Sequence, residues 1–352
     1  MIFCSKAAVN KRSKIKMNLK QNLIYIRDLR DLYHAREVTS SGNVSYANWW
    51  AEDPETAWFT KLVRYICPEG HTPVRFYSMF GPKRNVEKPF DGVKVFYCGE
   101  NLEERLPVSS LVEREEKVKG WEHRRRTYSD YCISITDFSI GFGHHDEWDT
   151  YMRFPLWVMR YFEPDWGIEQ IRIRLAQMEE QPVNSDRKGA ALIASHDFMG
   201  TRAGICDAID DITDISYAGK WRNTTDALWT EYHNDKELYL KQFMFSICPE
   251  NTDAPGYATE KVFDAIAAGT IPIYYGDRNH PEPEILNYDS IIFWDYEDSA
   301  SVDRNRELIT RLQSDKAFYR SFMERPRFAK DAAEIIDRQM TELKNRLLHL
   351  LQ

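Results

Sequence analysis

The alternation of apolar and polar positions between residues 243 and 276 predicts a strand, a helix and a second strand. Apolar runs at 243–248 and 270–275 have the length of strands. The helix between them has an apolar face formed by Val262, Phe263, Ile266 and Ala267. Strands joined by a crossover helix are normally parallel, and parallel sheets bind ligands at the carboxyl ends of their strands. The loop at 249–256 lies at that end, so it is the first candidate for a binding site.

The same alternation extends over the rest of the chain and predicts an α/β fold. A break at 164–167 marks a domain boundary. We therefore expect a first domain at 21–163 and a second at 164–325, preceded by a basic, disordered extension at 1–20. Further predicted strands lie at 21–29, 73–80, 92–97, 133–143, 190–194, 215–221 and 290–293. Further predicted helices lie at 48–66, 170–178, 202–209 and 301–324, and another begins at Pro155.

The last predicted element is an amphipathic helix within 326–352, whose apolar residues are four and three positions apart. Its apolar stripe consists of Ala329, Ala333, Ile336, Met340, Leu343, Leu347 and Leu350. We expect this helix to pack on the first domain. One alternative is a coiled coil that makes an oligomer. The other is a weak association with a membrane surface, which acidic residues such as Asp331 and Glu334 disfavour.

Composition narrows the classes of function. The 352 residues are too many for one ordinary core, and a net charge of −8 argues against a nucleic-acid partner, although a local basic patch is compatible with a diphosphate. The six cysteines lack metal-ligand spacing, which predicts reduced thiols and no metal site. No apolar run reaches the roughly 18 residues of a membrane span, and the basic N-terminus lacks the apolar core of a signal peptide. We expect a cytoplasmic protein that starts at Met1 or Met17, with peripheral contact to the inner face of the membrane as an option.

Candidate chemistry is concentrated where the helix of the 243–276 unit begins. Glu250 and Asn251 follow the first strand. The start of the helix carries Tyr257, Thr259, Glu260 and Lys261, where free backbone amides and the helix dipole favour an anion. Lys261 suits a diphosphate, and Glu260 suits hydrogen bonds from sugar hydroxyls. For any single one of them, an ordinary charged helix start is the commoner explanation.

Several segments together resemble the α1,3/1,4-fucosyltransferases of glycosyltransferase family 10, especially the bacterial members. The matching segments are CPENTDAPGYATEK at 248–261, AIAAGTIPIYYG at 265–276, NWW at 48–50, GEN at 99–101 and DFSIGF at 137–142. The segment at 202–209 is similar to the family pattern R-x-x-x-x-D-A-L, with Ile209 in place of the leucine.

The resemblance implies the GT-B fold, in which two facing Rossmann-like domains enclose a cleft and a C-terminal helix follows them. It implies that the first domain binds a glycan acceptor of the N-acetyllactosamine type, such as a surface polysaccharide or lipopolysaccharide, and that the second binds GDP-fucose. The implied reaction is inverting transfer of L-fucose, expected at O3 of N-acetylglucosamine. We expect that no cofactor is required and that a divalent cation is at most stimulatory. The alternatives are a different sugar nucleotide and a non-catalytic sugar-binding relative.

The resemblance also implies roles for two residues far from the 243–276 unit. Glu100, within GEN, is implied to be the general base, although a lone loop glutamate is most simply a solvated charge. Arg202 is implied to bind the donor diphosphate, and an ion pair with Asp207 or Asp210 is its alternative. The chain contains no Asp-x-Asp, which fits neutralisation of the leaving diphosphate by protein cations.

Other candidate residues complete the predicted site. The remaining donor contacts are expected from Lys220, Glu250, Asn251, Tyr257, Glu260 and Lys261, of which Tyr257 and Glu260 are expected to hold the ribose or fucose. His144 and His145 are adjacent in a turn, and because adjacent side chains diverge we expect a turn or acceptor-cleft role rather than a metal pair.

The segment at 102–126 departs from the pattern of the close bacterial enzymes. It is a charged insertion with little periodic apolar content. One interpretation is a surface excursion near the active-site mouth that shapes acceptor choice, and the other is a plain solvated insertion. The choice between 1,3 and 1,4 linkage stays open for this reason.

Overall fold

The computed structural model describes residues 38–50, 52–104, 115–180, 184 and 186–352. Within them the first domain contains a six-stranded sheet in the order β1-β2-β3-β4-β5-β6. Its strands are β1 (Thr39–Ser41), β2 (Val44–Ala47), β3 (Val74–Tyr77), β4 (Val93–Tyr97), β5 (Phe138–Gly141) and β6 (Tyr151–Arg153). The antiparallel β1–β2 pair is followed by parallel pairs only.

The helices of this half of the chain are α1 (Trp58–Ile66), α2 (Arg84–Glu87), α3 (Glu115–Tyr128), α4 (Leu156–Tyr161) and α5 (Ile168–Glu179). The helix predicted at 48–66 begins only at Trp58, because residues 53–56 form a turn around Pro54. The strand predicted at 21–29 and the extension at 1–20 lie outside the described residues.

The second domain contains a five-stranded parallel sheet in the order β11-β10-β9-β7-β8. Its strands are β7 (Ala190–Leu192), β8 (Ile215–Tyr217), β9 (Phe245–Ile247), β10 (Ile271–Tyr274) and β11 (Ile292–Phe293). The predicted strand–helix–strand unit is β9, helix α9 (Glu260–Ala267) and β10, and Phe245 pairs with Ile271 in parallel register. The α/β fold with two facing Rossmann-like domains is therefore confirmed.

The remaining helices are α6 (Thr201–Ile209), α7 (Ala227–Thr230), α8 (Lys236–Leu240), α10 (Ser299–Ser314), α11 (Lys316–Met323) and α12 (Ala332–Leu351). The single helix predicted at 301–324 is divided into α10 and α11. The division occurs at Asp315, whose carboxylate accepts hydrogen bonds from the amides of Ala317 and Phe318 and so caps a new helix.

Helix α12 packs on α1 and α5, as expected for a tail that returns to the first half of the chain. Its buried stripe includes Ile336, Met340, Leu343, Leu347 and Leu351. The guanidinium of Arg346 donates to the carbonyl oxygens of Asp149 and Tyr151, at 3.2 and 3.0 Å. The apolar face of α12 is therefore buried against other helices of the same chain. No helix in the described part of the chain is long and apolar enough to cross a membrane.

Several buried contacts join the two domains. The guanidinium of Arg153 forms a two-pronged ion pair with Glu282, at 2.7 and 3.2 Å, and donates to the carbonyl oxygen of Gly256 at 2.9 Å. The indole of Trp157 stacks on Phe263 of α9, with ring centroids 4.3 Å apart. These contacts hold the start of α9 against the first domain.

Candidate active site

The carboxyl ends of β4 and β9 line one cavity between the two domains. The cavity has a volume of about 280 Å³, and we call it the donor cavity. The first domain contributes Gly99 and Glu100, which follow β4, and the second contributes the ends of β7 and β9 and the start of α9. Parallel sheets place ligand sites at these strand ends.

Glu100 lies where three cavities meet. It lines the donor cavity, a second cavity of about 630 Å³ and a small third cavity of about 90 Å³. The hydroxyl of Tyr257 donates to Glu100 Oε2 at 3.4 Å. Burial raises the pKa of Glu100, Lys261 opposes part of this rise, and Glu260 adds to it. A carboxylate with a raised pKa that faces several cavities has the properties of a general base near neutral pH.

Asn101 fixes the loop that carries Glu100. Its side chain is fully buried, and its Nδ2 donates to Thr252 Oγ1 in the second domain at 3.0 Å. Its Oδ1 accepts from the backbone amide of Glu103 at 2.8 Å. Sequence reasoning assigned no role to Asn101, although the GEN motif contained it.

Lys261 supplies a fixed positive charge at the start of α9. Its Nζ lies 2.8 Å from Glu250 Oε2 and donates to Thr259 Oγ1 at 2.7 Å. Burial by itself lowers the pKa of Lys261, but Glu250 and Glu260 raise it by more, so the pKa lies above its ordinary value. The ammonium group is therefore charged at neutral pH.

Glu250 has the contacts of a positioning residue. It is fully buried and accepts from the amide and hydroxyl of Thr259 at 2.8 and 2.7 Å, besides pairing with Lys261. Gly276 leaves room for it, since a Cβ at Gly276, whose φ is 148°, would lie 2.6 Å from the Glu250 Cγ. Glu250 is not among the described residues that line the donor cavity, and its predicted donor contact stays a prediction.

Glu260 lines both the donor cavity and the 630 Å³ cavity. Burial raises its pKa, but Lys261 and Lys236 lower it by more, so the pKa of Glu260 lies below its ordinary value. Glu100 and Glu260 therefore have pKa values shifted in opposite directions. Environments that separate two carboxylates in this way allow one to accept a proton while the other stays ionised.

Arg202 lies in the first turn of α6 and is buried at the wall of the donor cavity. Its Nη1 donates to the carbonyl oxygen of His196 at 2.6 Å and its Nη2 to Asn251 Oδ1 at 2.8 Å. Burial lowers the pKa of Arg202, but a guanidinium stays charged at neutral pH. Asp207 pairs with Arg222 instead, and no ion pair of Arg202 with Asp207 or Asp210 occurs among the described residues.

The other predicted site residues, Lys220, His144 and His145, are not among the described residues that line the three cavities around Glu100. Lys220 is exposed, whereas His145 is half-buried. The ring of His145 stacks on Trp148 at 3.8 Å and its Nε2 lies 2.9 Å from Glu103 Oε1. The exposed His144 lies beside Gly256. Their acceptor role stays a prediction.

The 630 Å³ cavity, which we call the aromatic cavity, belongs largely to the first domain. Trp50, Trp58 and Phe80 form apolar walls, and Glu100 and Glu260 supply carboxylates. The NWW motif places Trp50 here, a role that its sequence alone did not indicate. Aromatic faces with a few convergent polar groups are typical of ligand sites.

The described part of the 102–126 insertion reaches the active site. Trp121 and Glu122, on α3, line the 90 Å³ cavity together with Glu100. The expectation of a position near the active-site mouth is therefore confirmed for these residues.

Among the described residues, no group of three or more His, Cys, Asp or Glu side chains is arranged to hold a metal ion. The described cysteines, Cys67, Cys98, Cys132, Cys206 and Cys248, are buried free thiols.

Two family models match the chain. The model of the "Alpha-(1,3)-fucosyltransferase FucT N-terminal domain" matches residues 44–160. The model "Glycosyltransferase family 10 (fucosyltransferase) C-term" matches residues 183–345. The gap between the two matches contains the predicted domain boundary at 163/164.

Individual proteins are similar over shorter or more distant alignments. The chain is 24% identical to alpha-(1,3)-fucosyltransferase FucT of Helicobacter pylori over 66% of its own length and 50% of that protein. It is 29% identical to alpha-(1,3)-fucosyltransferase B of Drosophila melanogaster over 29% of its length and 23% of that protein. It therefore spans half or less of the curated relatives it matches.

A crystal structure of an α1,3-fucosyltransferase with GDP-fucose shares the fold. Its TM-score is 0.54 at 20% identity, and the alignment covers 88% of this chain and 92% of that one. A crystal structure of an α1,3-fucosyltransferase with GDP has the same TM-score of 0.54, at 19% identity. The GT-B fold expected from the sequence is thus confirmed.

Proposed function

Because the chain belongs to glycosyltransferase family 10, the fucosyltransferases, we propose that it transfers L-fucose from GDP-fucose to a hydroxyl of a glycan, with inversion at the anomeric carbon. The observation that carries this proposal is the position of Glu100. It lies in the same cavity as Arg202 and Lys261, which come from the facing domain. A base and two cations around one cavity are what an inverting displacement of a diphosphate needs.

The donor occupies the donor cavity in this proposal. Arg202 and Lys261 neutralise the diphosphate, and the start of α9 adds its backbone amides and dipole. Because Asn251 and Glu250 hold these two cations in place, their charges are oriented before the leaving group departs. Such preorganised charge stabilises the GDP that forms in the transition state.

Glu100 acts as the base. Its carboxylate takes the proton of the acceptor hydroxyl, the hydroxyl oxygen forms a bond to the anomeric carbon, and the bond from that carbon to the diphosphate breaks. The raised pKa of Glu100 strengthens it as a base. Glu260, with its lowered pKa, stays ionised and accepts hydrogen bonds from fucose or ribose hydroxyls, next to Tyr257.

The acceptor occupies the aromatic cavity. Trp50, Trp58 and Phe80 present faces to the apolar side of a sugar ring, and Glu100 lies at the end of this cavity that meets the donor cavity. An N-acetylglucosamine-type sugar that reacts at O3 is the expected acceptor. No metal ion is assigned a role, since the two cations carry the leaving-group charge.

The test is a panel of sugar nucleotides offered with N-acetyllactosamine, in which release of the nucleoside diphosphate is measured. The proposal expects release of GDP from GDP-fucose, at a rate that depends on the acceptor. Release from a different sugar nucleotide alone would replace fucose as the donor sugar. No release from any donor, with GDP-fucose still bound, would favour the non-catalytic relative.

A further inference from the structure

The charged insertion is anchored to the loop that carries Glu100. Arg125 of α3 is buried, and its Nη1 donates to the carbonyl oxygen of Leu102 at 3.2 Å. Arg125 also pairs with Glu122, one turn earlier, at 2.7 Å. At the end of the helix, the hydroxyl of Tyr128 donates to the carbonyl oxygen of Gly81 at 2.7 Å. Polar and aromatic anchors thus hold α3 at the active site, although it lacks an apolar stripe.

The small cavity beside α3 has the lining of a sugar subsite. Trp121 and Glu122 contribute from the insertion, and Phe198 and Asn251 contribute from the facing domain, with Glu100 shared. Aromatic faces bind the apolar face of a pyranose, while carboxylate and amide oxygens accept hydrogen bonds from its hydroxyls. A volume of about 90 Å³ suits part of one sugar ring.

This cavity is a poor place for the donor diphosphate. Arg202 and Lys261 line the donor cavity, and neither is among the described residues around the small cavity. The neighbouring cations of α3, Arg125 and Arg126, are already engaged with the carboxylate of Glu122. The ligand chemistry of this cavity is therefore that of a neutral sugar.

Glu100 lines the small cavity and the aromatic cavity alike. A hydroxyl that reacts at Glu100 therefore has a sugar-binding surface on two sides. Resting on the proposed function, we infer that α3 forms a second acceptor subsite in which Trp121 stacks on the sugar next to the reacting one. The acceptor class is an oligosaccharide that extends beyond the reacting sugar.

The experiment compares Trp121→Ala, Trp121→Phe and the control His123→Ala in the full chain. His123 is an exposed residue of the same helix. Acceptors are methyl β-N-acetylglucosaminide and N-acetylglucosamine-containing oligosaccharides of increasing length. We expect Trp121→Ala to lower kcat/KM for the oligosaccharides about tenfold through KM, on the scale of one lost stacking contact. In Trp121→Ala, the kcat/KM for the monosaccharide and the KM for GDP-fucose stay within about twofold of the parent values. Trp121→Phe retains most of the activity with oligosaccharides, and His123→Ala matches the parent.

Three results overturn the inference. If Trp121→Ala loses kcat/KM equally for the monosaccharide and the oligosaccharides, Trp121 does not form a second acceptor subsite. A raised KM for GDP-fucose in Trp121→Ala would place Trp121 in the donor site instead. Unchanged kinetic constants in Trp121→Ala would show that the insertion is solvated and binds no sugar. Each of these requires GDP release by the parent enzyme, whereas absence of GDP release from the parent with every acceptor contradicts the proposed function itself.

Discussion

Asn101 and Thr252 are 151 positions apart in the chain, and a hydrogen bond of 3.0 Å between their side chains crosses the cleft. Asn101 follows the proposed base, and Thr252 follows Asn251, which holds Arg202. The two loops that bear the base and the diphosphate cation are thus tied to each other. The relative position of the two domains therefore sets the distance between the Glu100 carboxylate, which is the proposed proton acceptor, and the diphosphate leaving group.

Thr252→Val tests this tie. The replacement keeps the shape of the side chain but removes the acceptor of the Asn101 amide, so we expect kcat to fall by roughly ten- to a hundredfold, because small misplacements of a base have effects of that size. The KM for GDP-fucose changes little. Steady-state kinetics measure both constants, and Thr310→Val, at an exposed helix position, is the control. A loss confined to the KM for GDP-fucose would contradict the positioning role.

The pH dependence of kcat/KM reports the raised pKa of Glu100. A base must be deprotonated, so activity falls as the pH is lowered through this pKa, and the acidic limb lies above that of an ordinary glutamate. Glu260→Gln removes a nearby negative charge, which lowers the pKa of Glu100 and moves the limb to lower pH. The exposed Glu284→Gln leaves the limb in place. A limb that stays unchanged in Glu260→Gln would show that another group titrates.

The pair of Glu250 and Lys261 predicts a stability effect separate from activity. Lys261→Met leaves the fully buried Glu250 carboxylate without its cation, so we expect the free energy of unfolding to drop by about 3 kcal/mol. In the double variant Lys261→Met with Glu250→Gln, the free energy of unfolding recovers a part of this loss. Urea unfolding measures both variants. Breaking the partly exposed i,i+4 pair of Lys241 with Glu237 by Lys241→Met is the control and costs at most about 0.5 kcal/mol. Equal losses in Lys261→Met and Lys241→Met would contradict the assignment.

Chelation tests whether protein cations suffice for the leaving group. Because Arg202 and Lys261 both line the donor cavity, we expect activity to persist in excess EDTA at more than half of its starting rate. GDP release is measured before and after dialysis against the chelator. Complete loss that Mn²⁺ or Mg²⁺ restores would show that a metal ion is required.

Local patterns were sufficient to predict the strand–helix–strand unit at 243–276 and the amphipathic α12. Both depend on apolar periodicity within a short stretch. Strands β1 and β2 were both missed. Thr39–Ser41 is a short, polar and largely exposed edge strand, and the buried Val44–Ala47 is only four residues long. Helix α3 was missed because its anchors, Arg125 and Tyr128, bind distant backbone carbonyls.

The candidate site was only partly accessible from the sequence. The family resemblance pointed to Glu100, Arg202 and Lys261, and the structure places all three around one cavity. Whether a side chain is buried or faces a cavity decides between roles that the sequence leaves open. Glu250 follows a strand as a ligand-binding carboxylate would, yet Gly276 allows it to turn inward. The contact of Asn101 joins residues from two domains, and no local pattern encodes it.

The most direct test of the central claim compares Glu100→Gln with the parent chain, with GDP-fucose and N-acetyllactosamine as substrates. Glutamine keeps the size of the side chain but cannot take the acceptor proton. We predict that the rate of GDP release falls by roughly 10² to 10⁴, while GDP binds both proteins with the same affinity. GDP release from Glu100→Gln at the parent rate would contradict the assignment of Glu100 as the base and, with it, the proposed mechanism.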